Sequence, residues 1–211
     1  QLEIAGPGFL NFPFSPKFYF QRLRELAAGK GSDSDLGRGR KVQVEFASVN
    51  PTGPLHVGHG RVAVIGDVLA RLHEATGFSV EREYYVNDAG NQMENLALSI
   101  DARYRELFGE AAVFPENGYP GDYVKDIAIE IRRRDGDKYL RHERQATLGF
   151  FREYGGQALL DTIRAQLRDF GIVFDTFFSE RAMRERGEVN QAMTDMRSRG
   201  LLYSQDGAEW Y

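Results

Sequence analysis

The 211-residue sequence contains no cysteine. Disulfides and thiolate zinc sites are therefore excluded, and a reducing compartment is the simplest expectation. No stretch approaches the roughly 18 consecutive apolar residues of a membrane helix, and no charged-then-apolar leader opens the chain. We therefore expect a cytoplasmic protein without membrane attachment. A surplus of positive charge is missing too: 27 Lys and Arg stand against 31 Asp and Glu, for a net charge of -4. That excludes a generally basic nucleic-acid coat but leaves local basic patches open. A phosphate loop of the Gly-x-x-x-x-Gly-Lys type is also wanting. "GKGS" at 29–32 lacks the required glycine five positions before its Gly-Lys pair, where Arg24 stands.

What is present suffices for a core, since 42% of residues are hydrophobic. Residues 1–20 are extended and aromatic, punctuated by glycine and proline, and "SPKFYFQRLRELAAG" then predicts a short helix. "GKGSDSDLGRGR" (29–40) is polar and glycine-rich, as expected of a linker or mobile loop. "KVQVEFA" (41–47) alternates and is β-branched, which predicts a strand. Val62, Ile65, Leu69 and Leu72 recur at helical spacing over 57–76, Val64 and Val68 widen the stripe, and Gly77 caps it. "SVEREYYV" (79–86) predicts a second strand. Strand, helix and strand make a parallel βαβ unit with a right-handed crossover. Ligands of such sheets sit at the carboxyl ends of the strands, here 47–59 and 87–92.

Beyond residue 91 the periodicity predicts helices and no further strong strand. Met93, Leu96, Ile100 and Leu107 mark one helix closed by Gly109; others are expected over 123–134, 143–170 and 189–199. Phe150, Phe151, Phe170 and Phe174 fall at helix-core spacing and are expected to pack rather than stack on bases. Two parallel strands cannot cover themselves, so the sequence reads as an incomplete fragment of a longer protein, lacking something at both ends.

The chemistry concentrates in "NPTGPLHVGHGR" (50–61). Pro51 and Pro54 keep the backbone extended, while Gly53, Gly58 and Gly60 remove side chains where a ligand must touch backbone. The helix then begins near Val57, and its free amides and positive dipole end make an anion site suited to polyphosphate. His56 and His59, one turn apart, would both point at that site and donate to phosphate oxygens. Two other readings stand beside this one. A metal pair would want a third ligand, and none is evident nearby. A purely structural role is the default for a random histidine pair, but the Pro-Thr-Gly-Pro context and the strand-to-helix position favour the anion.

"HVGH" within "PTGPLHVGHGR" resembles the His-Ile-Gly-His signature of class I aminoacyl-tRNA synthetases. With "VEFASVNPTGPLHVGHGR", "YYVNDAGNQ", "GYPGDYVKDIA", "FGIVFDTFFSE" and "GLLYSQDGAEW" in that order, the resemblance is to arginyl-tRNA synthetases over essentially the whole chain. The fold it implies is α/β: the first half of a Rossmann-like class I catalytic domain with a mainly helical insertion. Residues 1–28 would end an N-terminal tRNA-binding domain and its connecting helix, and 29–40 would be linker. Residues 41–98 would form the ATP-binding half, and 99–211 a helical insertion returning toward the sheet.

The activity implied is ATP-dependent formation of arginyl-adenylate and transfer to tRNA(Arg), which relies on placement and charge stabilisation rather than covalent help. By resemblance His56 and His59 are the catalytic pair. ATP would lie on Pro51, Thr52, Gly53, Pro54, Leu55, His56, Val57, Gly58 and His59. Asn50 and Glu45 resemble contacts of the amino-acid pocket, with Gln92 beside them, although Glu45 is also compatible with a satisfied sheet-edge carboxylate. Glu180 stands where the family places an acid for the guanidinium, which a bidentate carboxylate serves best; it equally suits a helix N-terminus. Asp88 reads more readily as a turn or capping residue than as a contact.

Arg132, Arg133, Arg134 and Lys138 lie in a basic run that would face tRNA phosphate, or form a solvated helix face balanced by Asp135, Asp137 and Glu143. ATP with Mg2+ is expected as substrate, no resident metal, and a monomer for the full-length protein. Two departures from the family pattern matter. The Lys-Met-Ser-Lys type loop is absent from these residues, as are the Tyr and Asp completing the arginine pocket and the anticodon-binding domain. This stretch alone is therefore expected not to activate arginine. The alternatives are another adenylyltransferase of the same superfamily, or an RNA-binding piece without catalysis.

Overall fold

A computed structural model describes residues 3–30 and 34–211; residues 1 and 2 of the opening segment and 31–33 of the expected linker lie outside the described residues. In chain order the elements are β1 (Glu3–Ala5), β2 (Phe9–Asn11), α1 (Pro16–Ala27), β3 (Lys41–Glu45) and α2 (Val57–Ala75). There follow β4 (Ser79–Val86), α3 (Asn91–Glu106), α4 (Asp122–Asp135), α5 (Lys138–Arg141) and α6 (Arg144–Asp169). The chain continues through β5 (Thr176–Ser179), α7 (Glu180–Glu185), α8 (Glu188–Ser198), β6 (Tyr203–Gln205) and β7 (Ala208–Trp210). Two compact units result, one of 1–43 with 68–81 and one of 44–67 with 82–211; β3, α2 and β4 each give residues to both.

In the first unit β1 and β2 pair antiparallel, with Glu3 opposite Asn11. Ser15 caps α1 by accepting the Phe18 N–H, and Pro16 takes the first helical position, where no donor is needed. Gly37 and Gly39 donate backbone N–H groups to the carbonyls of Thr76 and Gly77, each at 2.8 Å. Gly77 itself ends α2 with φ +86°, the left-handed turn for which glycine is suited.

The second unit holds two apolar cores. Leu96, Ile100 and Tyr104 of α3, Val124 and Ile131 of α4, and Phe151 of α6 fill the first. Phe46, Tyr84, Val86, Ile163, Leu167 and Phe174 fill the second, against the sheet. The 26-residue α6, roughly 39 Å long, serves both: Phe151 and Leu159 enter one core, Leu160, Ile163 and Leu167 the other. That one helix carries the helical block on the sheet. Gly155 permits the contact with α3, since a Cβ there would stand 2.3 Å from Ile100 Cδ1.

The sheet has the order β3-β4-β5 and is parallel, with Tyr84 opposite Phe177 and Val86 opposite Ser179. β5 corrects the expectation of no further strong strand after residue 91. Its four residues, TFFS, are too few for periodicity to distinguish a strand from a helical turn. β5 lies parallel beside β4. Phe170 is also corrected: it is 64% exposed, because it is the C-cap of α6 and projects past the last turn. Phe151 and Phe174 are buried as expected, the latter on the loop entering β5.

The helical spacing located α2 but not its buried side. Ala63, Gly66, Asp67 and Ala70 are buried, while Val62, Ile65, Leu69 and Leu72 stand about half exposed. Close approach to the sheet explains the small residues: a Cβ on Gly66 would stand 2.1 Å from the Phe46 ring. Among the described residues no helix is long and apolar enough to cross a membrane.

Candidate functional site

At the end of β3 the backbone turns through two non-glycine residues of positive φ, Ala47 at 63° and Ser48 at 44°. Such conformations cost on the order of 1 kcal/mol each and persist only where the surroundings hold them. Here Ser48 Oγ accepts the Tyr85 N–H at 3.0 Å and donates to the Glu45 carboxylate. The buried Tyr84 hydroxyl donates to the Val49 carbonyl at 2.7 Å, and its burial pushes its pKa up. Both ties come from β4, so the sheet itself shapes the corner.

The following loop is pinned from the helical block. The Tyr123 hydroxyl, from the first turn of α4, donates to the Thr52 carbonyl at 2.7 Å. The Asn50 side-chain amide donates to Gln92 Oε1 at 2.6 Å, joining the loop to the first turn of α3. Within the loop, Pro51 and Thr52 are buried.

His56 precedes α2 and His59 lies in its first turn. Their rings stack with centroids 3.6 Å apart and 23° between planes. The Gly58 N–H donates to His56 Nδ1 at 3.1 Å, and the His56 N–H to His59 Nδ1 at 3.3 Å. Each Nδ1 therefore acts as acceptor, which leaves Nε2 as the nitrogen of each ring that can donate outward. Partial burial, and secondarily the neighbouring His56, lowers the His59 pKa below 6.5. Two imidazole N–H donors at a helix start suit an anion whose charge grows during reaction.

A cleft of about 530 Å³ is lined by residues 47–50 and 52–54, both imidazoles, Gln92, Tyr119 and Tyr123. Of the residues singled out from sequence, it brings together Asn50, Thr52, Gly53, Pro54, His56, His59 and Gln92. Pro51 is buried and does not line the cleft, Leu55 packs toward the sheet core, and Val57 and Gly58 are exposed. Glu45 does not line the cleft; its carboxylate is held by Ser48. Glu180 stands apart as well, past the end of β5. Its side chain is 12% exposed and pairs with Arg184, at 2.7 Å from Arg184 Nε. Tyr85 also hydrogen-bonds to Glu180, and burial first, then that bond, raises the Tyr85 pKa.

Asp88 accepts from Ser179 Oγ at 2.6 Å and from the Arg181 N–H at 2.8 Å. It thus ties the loop after β4 to the start of α7. In the basic run, Arg132 donates to the Leu107 carbonyl, and Arg134 pairs with Asp135 while lying over the Tyr154 ring. Lys138 lies over the Tyr139 ring, and Arg133 is exposed. Sequence reasoning assigned no role to Tyr119 or Tyr123. The only signal was their place in "GYPGDY", since pocket-lining phenols carry no spacing rule of their own.

The family described as tRNA synthetases class I (R), catalytic domain, matches residues 23–210. The arginine–tRNA ligase of Geobacter sp. (strain M21) is 50% identical over 212 residues, covering all of this chain and 38% of that protein. The Bacillus licheniformis arginine–tRNA ligase is 42% identical over 213 residues with the same coverage. A Campylobacter jejuni structure assigned as an arginyl tRNA synthetase superposes with a TM-score of 0.74 at 30% identity, over 92% of this chain and 42% of that one. Thermus thermophilus arginyl-tRNA synthetase shares the fold, with a TM-score of 0.56 at 22% identity, over 93% of this chain and 32% of that one. The chain thus spans 38% of the length of these curated relatives.

Proposed function

The chain belongs to the class I (R) tRNA synthetase catalytic-domain family, and from that premise we propose that its protein is an arginine–tRNA ligase. It would condense L-arginine with ATP, taken as its magnesium complex, release pyrophosphate, and pass the arginyl group to tRNA(Arg). The observation that carries this reading is the stacked His56–His59 pair, with both Nε2 donors available at the start of α2 beside a cleft of about 530 Å³. Residues 51–59 receive the triphosphate, and the two imidazoles stabilise charge as it builds on the α-phosphate. Asn50 and Gln92, already bonded to each other, offer an amide pair for the amino-acid head group. Glu180 serves the guanidinium by exchanging Arg184 for the substrate, and Glu45 supports the pocket through Ser48.

The same reading divides the chain into the end of a tRNA-binding domain with its connecting helix (1–28), a linker (29–40), an ATP-binding half (41–98) and a helical insertion (99–211). Arg132, Arg133, Arg134 and Lys138 of that insertion would meet tRNA phosphate, with Arg133 the most available. The protein is read as cytoplasmic and monomeric. Arginine-dependent ATP–pyrophosphate exchange by the full-length protein tests the proposal: arginine supports exchange and lysine does not. Exchange driven equally by another amino acid would refute it.

A further inference from the structure

We propose that Tyr123 is a positioning residue for the nucleotide-binding loop, its hydroxyl holding residues 51–54 in the shape that receives ATP. The inference rests on the ATP reading of the cleft and adds a residue from outside the loop to it. The phenol reaches across 71 positions of sequence to donate to the Thr52 carbonyl at 2.7 Å. Two glycines make its berth. A Cβ on Gly53 would come within 3.3 Å of the phenol oxygen, and one on Gly121 within 2.4 Å of the ring. The other end of the tie is firm, because Val124 and Ile127, which follow on α4, are buried in the helical core.

The loop needs such a tie. Pro51 and Pro54 have no N–H to give, and Gly53 has no side chain to pack. Its own backbone closes only a short turn, Thr52 N–H to the Asn50 carbonyl at 2.8 Å. A phenol is protonated at neutral pH and can donate there, and burial raises the Tyr123 pKa further. Tyr123 does not transfer a proton in this account; it acts through the backbone that carries Gly53 and leads to His56.

Tyr123→Phe keeps the ring and removes only the donor. Hydrogen exchange and isothermal titration with ATP, both on this chain, read the result. We expect amides of 50–56 to exchange several-fold faster in the variant, ATP to bind about five- to tenfold more weakly, and the thermal midpoint to move by only a few degrees. Unchanged exchange and affinity would overturn the proposal. So would exchange raised evenly through α4 and its core with ATP affinity intact, the mark of a purely structural tyrosine. Should the parent chain bind no ATP, the ATP reading itself fails. Exchange at 50–56 then decides alone whether Tyr123 fixes the loop: local acceleration supports it and none refutes it.

Discussion

Asn50 and Gln92 are bonded side chain to side chain at 2.6 Å across 42 residues of sequence, and both face the cleft. The bond joins the loop after β3 to the first turn of α3, so it fixes the orientation of both amides before a ligand arrives. Because the pair is exposed, its removal should cost less than about 1 kcal/mol of stability. Arginine binding by the full-length protein should weaken about tenfold for Asn50→Ala and for Gln92→Ala. The double variant should lose less than the product of the two, which a double-mutant cycle measures; strictly additive losses would mean the amides act separately.

The imidazole of His59 should titrate below 6.5, followed by its Cε1–H resonance in an NMR pH series. His56→Asn should raise that midpoint only part of the way, since burial is the larger cause and His56 the smaller. The sign of the linkage follows. A depressed histidine pKa favours the neutral form in the folded state, so its contribution to stability is present above 6.5 and lost as pH falls through the His59 value.

Two glycine substitutions should act in opposite directions. Gly66→Ala sets a methyl 2.1 Å from the Phe46 ring in the sheet core and should destabilise by about 1–3 kcal/mol. Gly149→Ala, within α6 and with nothing within 4 Å of the added Cβ, should stabilise by about 0.5–1 kcal/mol. Denaturant midpoints of the two variants decide; a stable Gly66→Ala protein would contradict the close approach of α2 to Phe46.

Glu180→Gln should reduce arginine affinity in the full-length protein by about 10- to 100-fold, the worth of a charged hydrogen-bonded pair. Arg184→Gln releases the same carboxylate from its internal partner and should tighten arginine binding. Equal affinities in both variants would remove Glu180 from the pocket.

The strands and helices that frame the site were legible because they are long and periodic: "KVQVE" alternates, and α2, α3, α4 and α6 each carry an apolar repeat. The two histidines were legible because proline and glycine mark a strand-to-helix corner. What escaped was short or tertiary. β5 has four residues, and its pairing with β4 depends on partners some 90 positions away. The exposed side of α2 is set by glycine and alanine fitting against Phe46, which hydropathy counts as weak signal. Tyr123 was invisible for the same reason, since its function lies in a carbonyl 71 residues distant.

If the α4 end meets RNA, Arg133→Ala should reduce the salt slope of tRNA binding by about one, without changing which tRNA is preferred. Filter binding across a salt series reads this. Arg134→Ala, whose side chain already pairs with Asp135, should change the slope less.

The most direct test is calorimetric titration of ATP into this chain and into its His59→Ala variant. The stacked pair requires measurable binding by the parent, lost or weakened at least tenfold in the variant while its thermal midpoint is kept. Equal affinity in the two proteins would show that the triphosphate does not depend on these rings, and the account of the cleft would fall with it.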